Sequence, residues 1–214
     1  MAILLNSEIK DIKLKKDLFA DKSKSWDMNS RRVKNAQAIA NLILKNINLN
    51  KNMHIMDFGA GTGLLSYFIS EHVNKITAID NSPSMLEKFR EKSPLFACHT
   101  EVLELDLSKE LPNNLIYDGI ISSMTIHHIQ DIEDIFIKMY NMIPKDGFIA
   151  LADLDTEDGT FHSNNEGVFH FGFDRNDLKK IAQKVGFKDI CFETANAIRK
   201  PHQTFSVFLM IAKR

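Results

Sequence analysis

Apolar residues at Val33, Ala36, Ala40, Ile43 and Ile47 recur at steps of three and four, the spacing of a helix with one buried stripe. Downstream the pattern changes. Short apolar runs of strand length, His54–Phe58, Lys75–Asp80, Tyr117–Ser122 and Phe148–Asp153, alternate with helical stretches at about Leu64–His72, Pro83–Lys92 and Ile132–Met142. A further strand lies within Phe96–Leu105, where charged residues blur its edges. Ser82 stands at the cap position of the Pro83 helix. Asp174 caps a last helix running to about Val185, with Gly186 as its stop. Asp189–Thr194 and Phe205–Ala212 read as a closing pair of strands around a loop containing Pro201. Strands and helices in alternation, joined by short loops, predict an α/β fold: a doubly wound, mostly parallel sheet with helices on both faces.

Two stretches stand outside this alternation. Residues 1–32 are lysine-rich and loosely patterned, and read as an N-terminal helical arm, with a short helix around Ile9–Phe19, ahead of a domain spanning 33–214. Residues 154–173 form a loop of about twenty residues. Loops of that length are uncommon in compact domains and often functional.

Composition narrows the class. At 214 residues the chain fits one domain, and 44% hydrophobic with 26% charged residues is ordinary for a globular protein. A net charge of −1 argues against coating nucleic acid, and the arm lysines lack the interleaved aromatics of an RNA platform. No run approaches the roughly 18 apolar residues of a membrane span, and Met1–Leu5 is too short for a signal-peptide core. A cytoplasmic protein is expected. Cys98 and Cys191 form no CxxC pattern and read as two buried, reduced thiols.

The strongest chemical signal is Asp57-Phe58-Gly59-Ala60-Gly61-Thr62-Gly63, which follows a strand and opens a helix. Glycine lets the backbone turn sharply and approach a ligand with no Cβ in the way. Alone, such a turn could be purely structural. Asp80, however, ends the next strand 21 residues after Gly59, where a carboxylate can accept both hydroxyls of a ribose. The spacing is GxGxG rather than the GxGxxG of dinucleotide sites, with an acid two residues before the first glycine. That carboxylate would repel a pyrophosphate. It suits a ligand with a cationic sulfonium and an amino group, so a nicotinamide dehydrogenase is disfavoured.

Residues 53–153 resemble the class I S-adenosylmethionine-dependent methyltransferases, in the branch of small bacterial enzymes acting mostly on small molecules. The resemblance rests on Met56–Gly63, Ala78–Leu86 (Ala-Ile-Asp-Asn-Ser-Pro-Ser-Met-Leu), Leu105-Asp106-Leu107, Tyr117–Ser123 and Ile143-Pro144-Lys145-Asp146-Gly147, in family order. It implies a Rossmann-like sheet of seven strands in the order 3-2-1-4-5-7-6, with strand 7 antiparallel. It also implies S-adenosyl-L-methionine as cofactor and S-adenosyl-L-homocysteine as product. Asp57, Gly59, Ala60, Gly61 and Gly63 would then surround the methionine and ribose parts, and Asp80 would bind the ribose hydroxyls. Asn81 and Met85 would pack near the adenine, Asp106 would accept from its amino group beside Leu107, and Ser122 would close the site. The Phe96–Glu104 region departs from the usual short strand and loop, which leaves Asp106 less firmly placed than Asp80.

Methyl transfer is an in-line displacement at an activated carbon, so alignment and exclusion of water dominate. A base is needed only when the nucleophile carries a proton. The candidates are His127, with His128 beside it, after the fourth strand, and His162 and His170 in the long loop among Phe161, Phe169, Phe171 and Phe173. Each pair also reads as capping, packing or surface histidines. Asp155, Glu157, His162 and His170 match no metal motif, and no metal is expected. Seven acids (Asp153, Asp155, Glu157, Asp158, Glu166, Asp174, Asp177) against Arg175 read as a solvated loop or as a preference for neutral or cationic substrates. Trp26 either caps the active site or packs in the core. The expected function is methyl transfer to a small-molecule substrate. The rivals are a methyltransferase acting on tRNA or protein, against which stands Ser122-Ser123-Met124-Thr125 in place of an Asn-Pro-Pro-Tyr-type tetrapeptide, and a non-catalytic binding module.

Overall fold

The computed structural model describes residues 17–109 and 115–214. A seven-stranded sheet carries the fold, in the order β3-β2-β1-β4-β5-β7-β6. The strands are β1 (His54–Phe58), β2 (Lys75–Asp80), β3 (His99–Glu104), β4 (Gly119–Ser123), β5 (Phe148–Leu154), β6 (Lys188–Arg199) and β7 (Thr204–Lys213). The first five pair in parallel, while β7 runs antiparallel to both β5 and β6. The helices are α1 (Ala20–Ser23), α2 (Ser30–Asn46), α3 (Leu64–Ile69), α4 (Pro83–Lys92), α5 (Ile132–Asn141) and α6 (Arg175–Val185).

Strand periodicity sorts the core into two layers. Met56, Ile120, Ile149, Phe208 and Met210 point to one face and pack with Phe136 and Met139 of α5 and Leu178 of α6. Ile55, Ile121, Ala150, Val207 and Leu209 point to the other, against Ile39 and Ile43 of α2 and Leu65 and Ile69 of α3. All seven residues of β5 are buried, which is why its sequence is a continuous apolar run rather than an alternation. Each fully buried Ile, Leu or Phe here contributes roughly 1.5–3 kcal/mol over an exposed one.

Local signals fix most helix ends. Ser82 Oγ accepts from the Met85 amide, Asp131 caps α5 through the Asp134 amide, and Asp174 caps α6 through the amides of Asn176 and Asp177. Gly186, at φ 119°, ends α6 in the left-handed region. Helix α2 starts at Ser30, capped by Asn29, one turn ahead of the periodic pattern that begins at Val33. A boundary at 32/33 therefore falls inside α2. Most of the helix expected around Ile9–Phe19 lies outside the described residues, and the helical turn that is seen begins at Ala20. Cys98 and Cys191 are free thiols, but Cys191 is exposed on the edge strand β6 rather than buried. No helix among the described residues is long and apolar enough to cross a membrane.

Candidate functional site

The carboxyl ends of β1, β2 and β4 open into one large cleft of about 1610 Å³. The glycine turn after β1 forms one wall. Gly59, Gly61 and Gly63 all have positive φ, and the turn is wired to β2: the Gly61 amide donates to Asp80 Oδ2 at 2.8 Å. The Ser82 amide donates to Asp80 Oδ1, also at 2.8 Å. The two amides hold the Asp80 carboxylate in place, and each oxygen keeps acceptor capacity for a further donor. Burial pushes the Asp80 carboxyl above its usual range, against the pull of those amides. A Cβ built on Gly61 meets no protein atom within 4 Å, so the backbone there faces open cleft.

Asp57 stands behind the turn, 1% exposed, and accepts from Ser66 Oγ of α3 at 2.6 Å. Burial, with the Asp80 charge nearby, pushes its carboxyl up to about 7 despite the Ser66 hydrogen bond. Asn81, Met85, Leu105, Asp106 and Leu107 continue the wall. Asp106 accepts from Ser108 Oγ at 2.5 Å and pairs with Lys109 at 3.1 Å. Asp57, Gly59, Ala60, Gly61, Asp80, Asn81, Met85, Asp106 and Leu107 thus all border the cleft. Two expected members do not. Gly63 is packed against the rings of Phe89 and Phe96, where a Cβ would lie 2.6 Å from Phe89. Ser122 is buried and donates to the Phe58 carbonyl at 2.7 Å, tying β4 to β1. Ser123, Met124 and Thr125 take its place on the wall, with Met124 at φ 58°.

The N-terminal arm closes over this end. Asp17 accepts from Ser82 Oγ at 2.8 Å and from the Ser84 amide at 3.1 Å, at the start of α4. Asp27 accepts from Thr62 Oγ1 at 2.5 Å and pairs with Lys92. Trp26 lines the cleft, half-buried, with the Arg32 guanidinium 3.7 Å from its ring centroid. Nothing in the sequence marked Asp17 or Asp27 as docking residues.

A histidine cluster forms the next wall. Thr125 packs on Gly59, and the 3₁₀ turn Ile126–His128 follows at once. His127 is 1% exposed, and its Nδ1 lies 2.7 Å from Asp153 Oδ1. An ionised carboxylate only accepts, so Nδ1 carries a hydrogen, and in the neutral ring the lone pair is on Nε2. That Nε2 is buried without a hydrogen-bond partner, yet its ring borders the cleft. Burial would raise the Asp153 carboxyl, but the His127 charge and hydrogen bonds from His127 and Leu154 bring it below its usual range. Asp153 was visible in the sequence only as the acid ending β5.

The long loop completes the cluster. His162 stacks 5.0 Å from His127 and 5.8 Å from His128, centroid to centroid, and its Nε2 is also buried without a partner. Burial and the charges around it hold His162 down to about 3, and His128 down to about 4. Both rings are neutral near pH 7. His128 Nδ1 contacts the Gly167 carbonyl at 2.6 Å. His170 is engaged differently: its Nε2 contacts the Ile129 carbonyl at 2.9 Å, and its backbone amide and that of Phe169 donate to the His127 carbonyl. It staples the loop to the histidine turn. Phe161 packs against His162 and Phe205, and Phe173 is buried, whereas Phe169 and Phe171 stay exposed.

A sequence model of the methyltransferase-domain family matches residues 29–191. An uncharacterised methyltransferase of Schizosaccharomyces pombe is 32% identical over 135 residues, 56% of this chain and 48% of that protein. Phosphoethanolamine N-methyltransferase 1 of Arabidopsis thaliana is 26% identical over 156 residues, 70% of this chain and 32% of that protein. The chain thus spans about a third to a half of the curated relatives it matches. Phosphoethanolamine N-methyltransferase 2 of Haemonchus contortus, solved with S-adenosyl-L-methionine, superposes with a TM-score of 0.63 at 16% identity, over 92% of this chain and 60% of that one. An S-adenosylmethionine-dependent methyltransferase of Clostridium acetobutylicum gives 0.65 at 14% identity, over 91% of this chain and 97% of that one.

Proposed function

This chain belongs to the class I S-adenosylmethionine-dependent methyltransferases, and we propose that it methylates a small-molecule acceptor whose proton is taken by His127. The observation that carries this reading is the buried, unpartnered Nε2 of His127 at the cleft, with Nδ1 held by Asp153. A nitrogen so placed has no partner among the described residues, which leaves it for an acceptor that reaches the histidine cluster. Relatives named for phosphoethanolamine and for 2-methyl-6-phytyl-1,4-hydroquinone support an acceptor of small-molecule kind.

The residues present fit the family cofactor. Open space at Gly61 lies next to a carboxylate fixed by two amides, the arrangement a ribose diol needs. Asp80 would take the hydroxyls, Asn81, Met85, Asp106 and Leu107 the adenine, and Asp57 the side nearer positive charge. When bound, S-adenosylmethionine supplies a methyl group on a cationic sulfur that departs as a neutral thioether. The chain's own part is alignment and proton removal. His127 Nε2 accepts the acceptor's proton, and the Asp153 carboxylate stabilises the imidazolium that results. His162, neutral, offers a hydrogen bond that orients the acceptor. The arm and the long loop, joined where Leu18 meets Gly167, keep water out.

Calorimetry with S-adenosylhomocysteine tests the pocket, and a screen of acceptors with methyl-labelled cofactor tests the reaction. Asp80→Ala is expected to weaken S-adenosylhomocysteine by roughly 1.5–3 kcal/mol, the loss of hydrogen bonds to a charged acceptor. Unchanged affinity in that variant would remove Asp80 from the site.

Asp57 adds a pH signature. Its carboxyl, at about 7 in the free chain, must ionise to meet a cationic ligand, so binding at pH 7 should release about half a proton. Affinity should fall as pH drops through about 7. Stability runs the opposite way: the folded carboxyl holds its proton to higher pH than the 3.8 of an unfolded one, so its contribution is intact below about pH 4 and lost as pH rises through 7. Binding enthalpies that do not vary among buffers of different ionisation enthalpy would refute the proton release.

A further inference from the structure

The histidine cluster is flanked by cations. Lys200 Nζ lies 4.3 Å from the Phe161 ring centroid, and that ring stands 4.8 Å from His162. On the other side Lys22 Nζ lies 5.2 Å from the ring of Phe19, which meets His128 edge-on at 5.7 Å. Arg31 joins the Lys200 end, its Nη1 donating to the Arg199 carbonyl at 3.2 Å. All three cations line the cleft, and among the described residues none forms an ion pair with a carboxylate.

The acids of the same cleft are engaged elsewhere. Asp153 holds His127, Asp131 and Asp174 cap helices, and Glu133, Asp134 and Asp177 pair with Lys184, Lys138 and Lys180. In the loop itself, Glu157 accepts from the amides of Gly159, Thr160 and Phe161, and Asp155 forks with Arg175. The acid-rich stretch, read from sequence as a solvated loop or as a preference for neutral or cationic substrates, ties Glu157 to backbone amides and Asp155 to Arg175 and leaves Asp158 and Glu166 exposed. What it leaves beside His162 is positive. Burial and the Arg31 charge hold Lys200 below its ordinary range, outweighing the pull of the Glu157 carboxylate.

We propose that the acceptor carries an anionic oxygen group, a phosphate or a carboxylate, seated between Lys200, Arg31 and Lys22 beside the histidine cluster. This rests on the methyl-transfer reading, and it makes the three cations determinants of specificity. They fix the charged end while the aromatic wall of Phe161 and Phe19 takes the apolar body. Like charges held together without an anion repel, and an oxyanion relieves that repulsion.

The test is a titration of the full chain, saturated with S-adenosylhomocysteine, by glycerol 2-phosphate, by acetate and by glycerol, read by calorimetry. Glycerol 2-phosphate or acetate should bind saturably, glycerol should not, and which anion binds more tightly names the group. Lys200→Met and Arg31→Met should each weaken the anion about fivefold with S-adenosylhomocysteine affinity unchanged. Lys45→Met, whose ion pair with Glu193 lies outside the cleft, should change nothing. Saturable binding of neither anion, or equal anion affinity in the variants, overturns the proposal. Failure of S-adenosylhomocysteine to bind would instead overturn the methyl-transfer reading, and the anion titration of the unloaded chain would still decide the pocket.

Discussion

His127→Ala should lower turnover by roughly 10²–10⁴-fold, the usual range for loss of a positioned base, while S-adenosylhomocysteine binds as before. The separation follows from geometry. The proposed nucleoside pocket is the glycine turn, Asp80 and the residues after β3, whereas among the described residues the hydrogen bonds of His127 go to Asp153, Phe169 and His170. Asp153→Asn is the sharper variant. An amide can donate to Nδ1 and stabilise the opposite tautomer, which places the hydrogen on Nε2 and removes the lone pair. Turnover should fall about as far as in His127→Ala, although the side chain at 127 is untouched. His162→Ala should cost less, about tenfold, because a neutral ring orients through one hydrogen bond. Near-wild-type turnover in His127→Ala would mean that the nucleophile carries no proton to remove. The histidine cluster would then be a wall rather than a base.

Sequence reading succeeded where a local rule had no competitor. The short apolar runs of β1, β2 and β5, the caps Ser82 and Asp174, and the stop at Gly186 all depend on residues close in the chain. It was weaker at the sheet edges. Strand β6 runs from Lys188 to Arg199, well past the expected end at Thr194, because an edge strand needs no apolar alternation and a bulge near Ala195 breaks the pattern. The juxtaposition of the glycine turn with Asp80 was legible since both lie on consecutive βα turns. The His127–Asp153 pair was half legible. His127 stood out, but Asp153 is 26 residues away and meets it only because β4 and β5 are neighbours in the sheet. Charge was the least legible feature. The sequence shows seven acids in 153–177 but not that caps and ion pairs engage them, nor that Lys22, Arg31 and Lys200 converge from the arm and from the β6–β7 turn.

The three glycines of the turn look equivalent in sequence, and the structure separates them by what surrounds each one. Gly61 faces open space, Gly59 is covered by the Thr125 side chain, and Gly63 is packed under Phe89 and Phe96. A Cβ at 61 therefore meets no protein atom within 4 Å. The cost of valine to the fold is backbone strain at φ 55°, about 1–2 kcal/mol. Its methyl groups occupy the space where backbone is expected to meet ligand. Gly61→Val should stay folded by circular dichroism, melt modestly lower, and lose S-adenosylhomocysteine binding altogether. Gly63→Val should do the reverse. There φ is 83°, and the added carbons press on Phe89 and Phe96, so strain of about 1–2 kcal/mol and overpacking of about 1–3 kcal/mol act together. The fold should be destabilised by roughly 2–5 kcal/mol, while whatever fraction remains folded still binds, because residue 63 does not border the cleft. Paired melting and calorimetry on the two variants read both axes at once. A folded Gly61→Val chain that binds S-adenosylhomocysteine normally would show that the cofactor does not lie against this turn, and would take Asp80 and Asp57 out of the site with it.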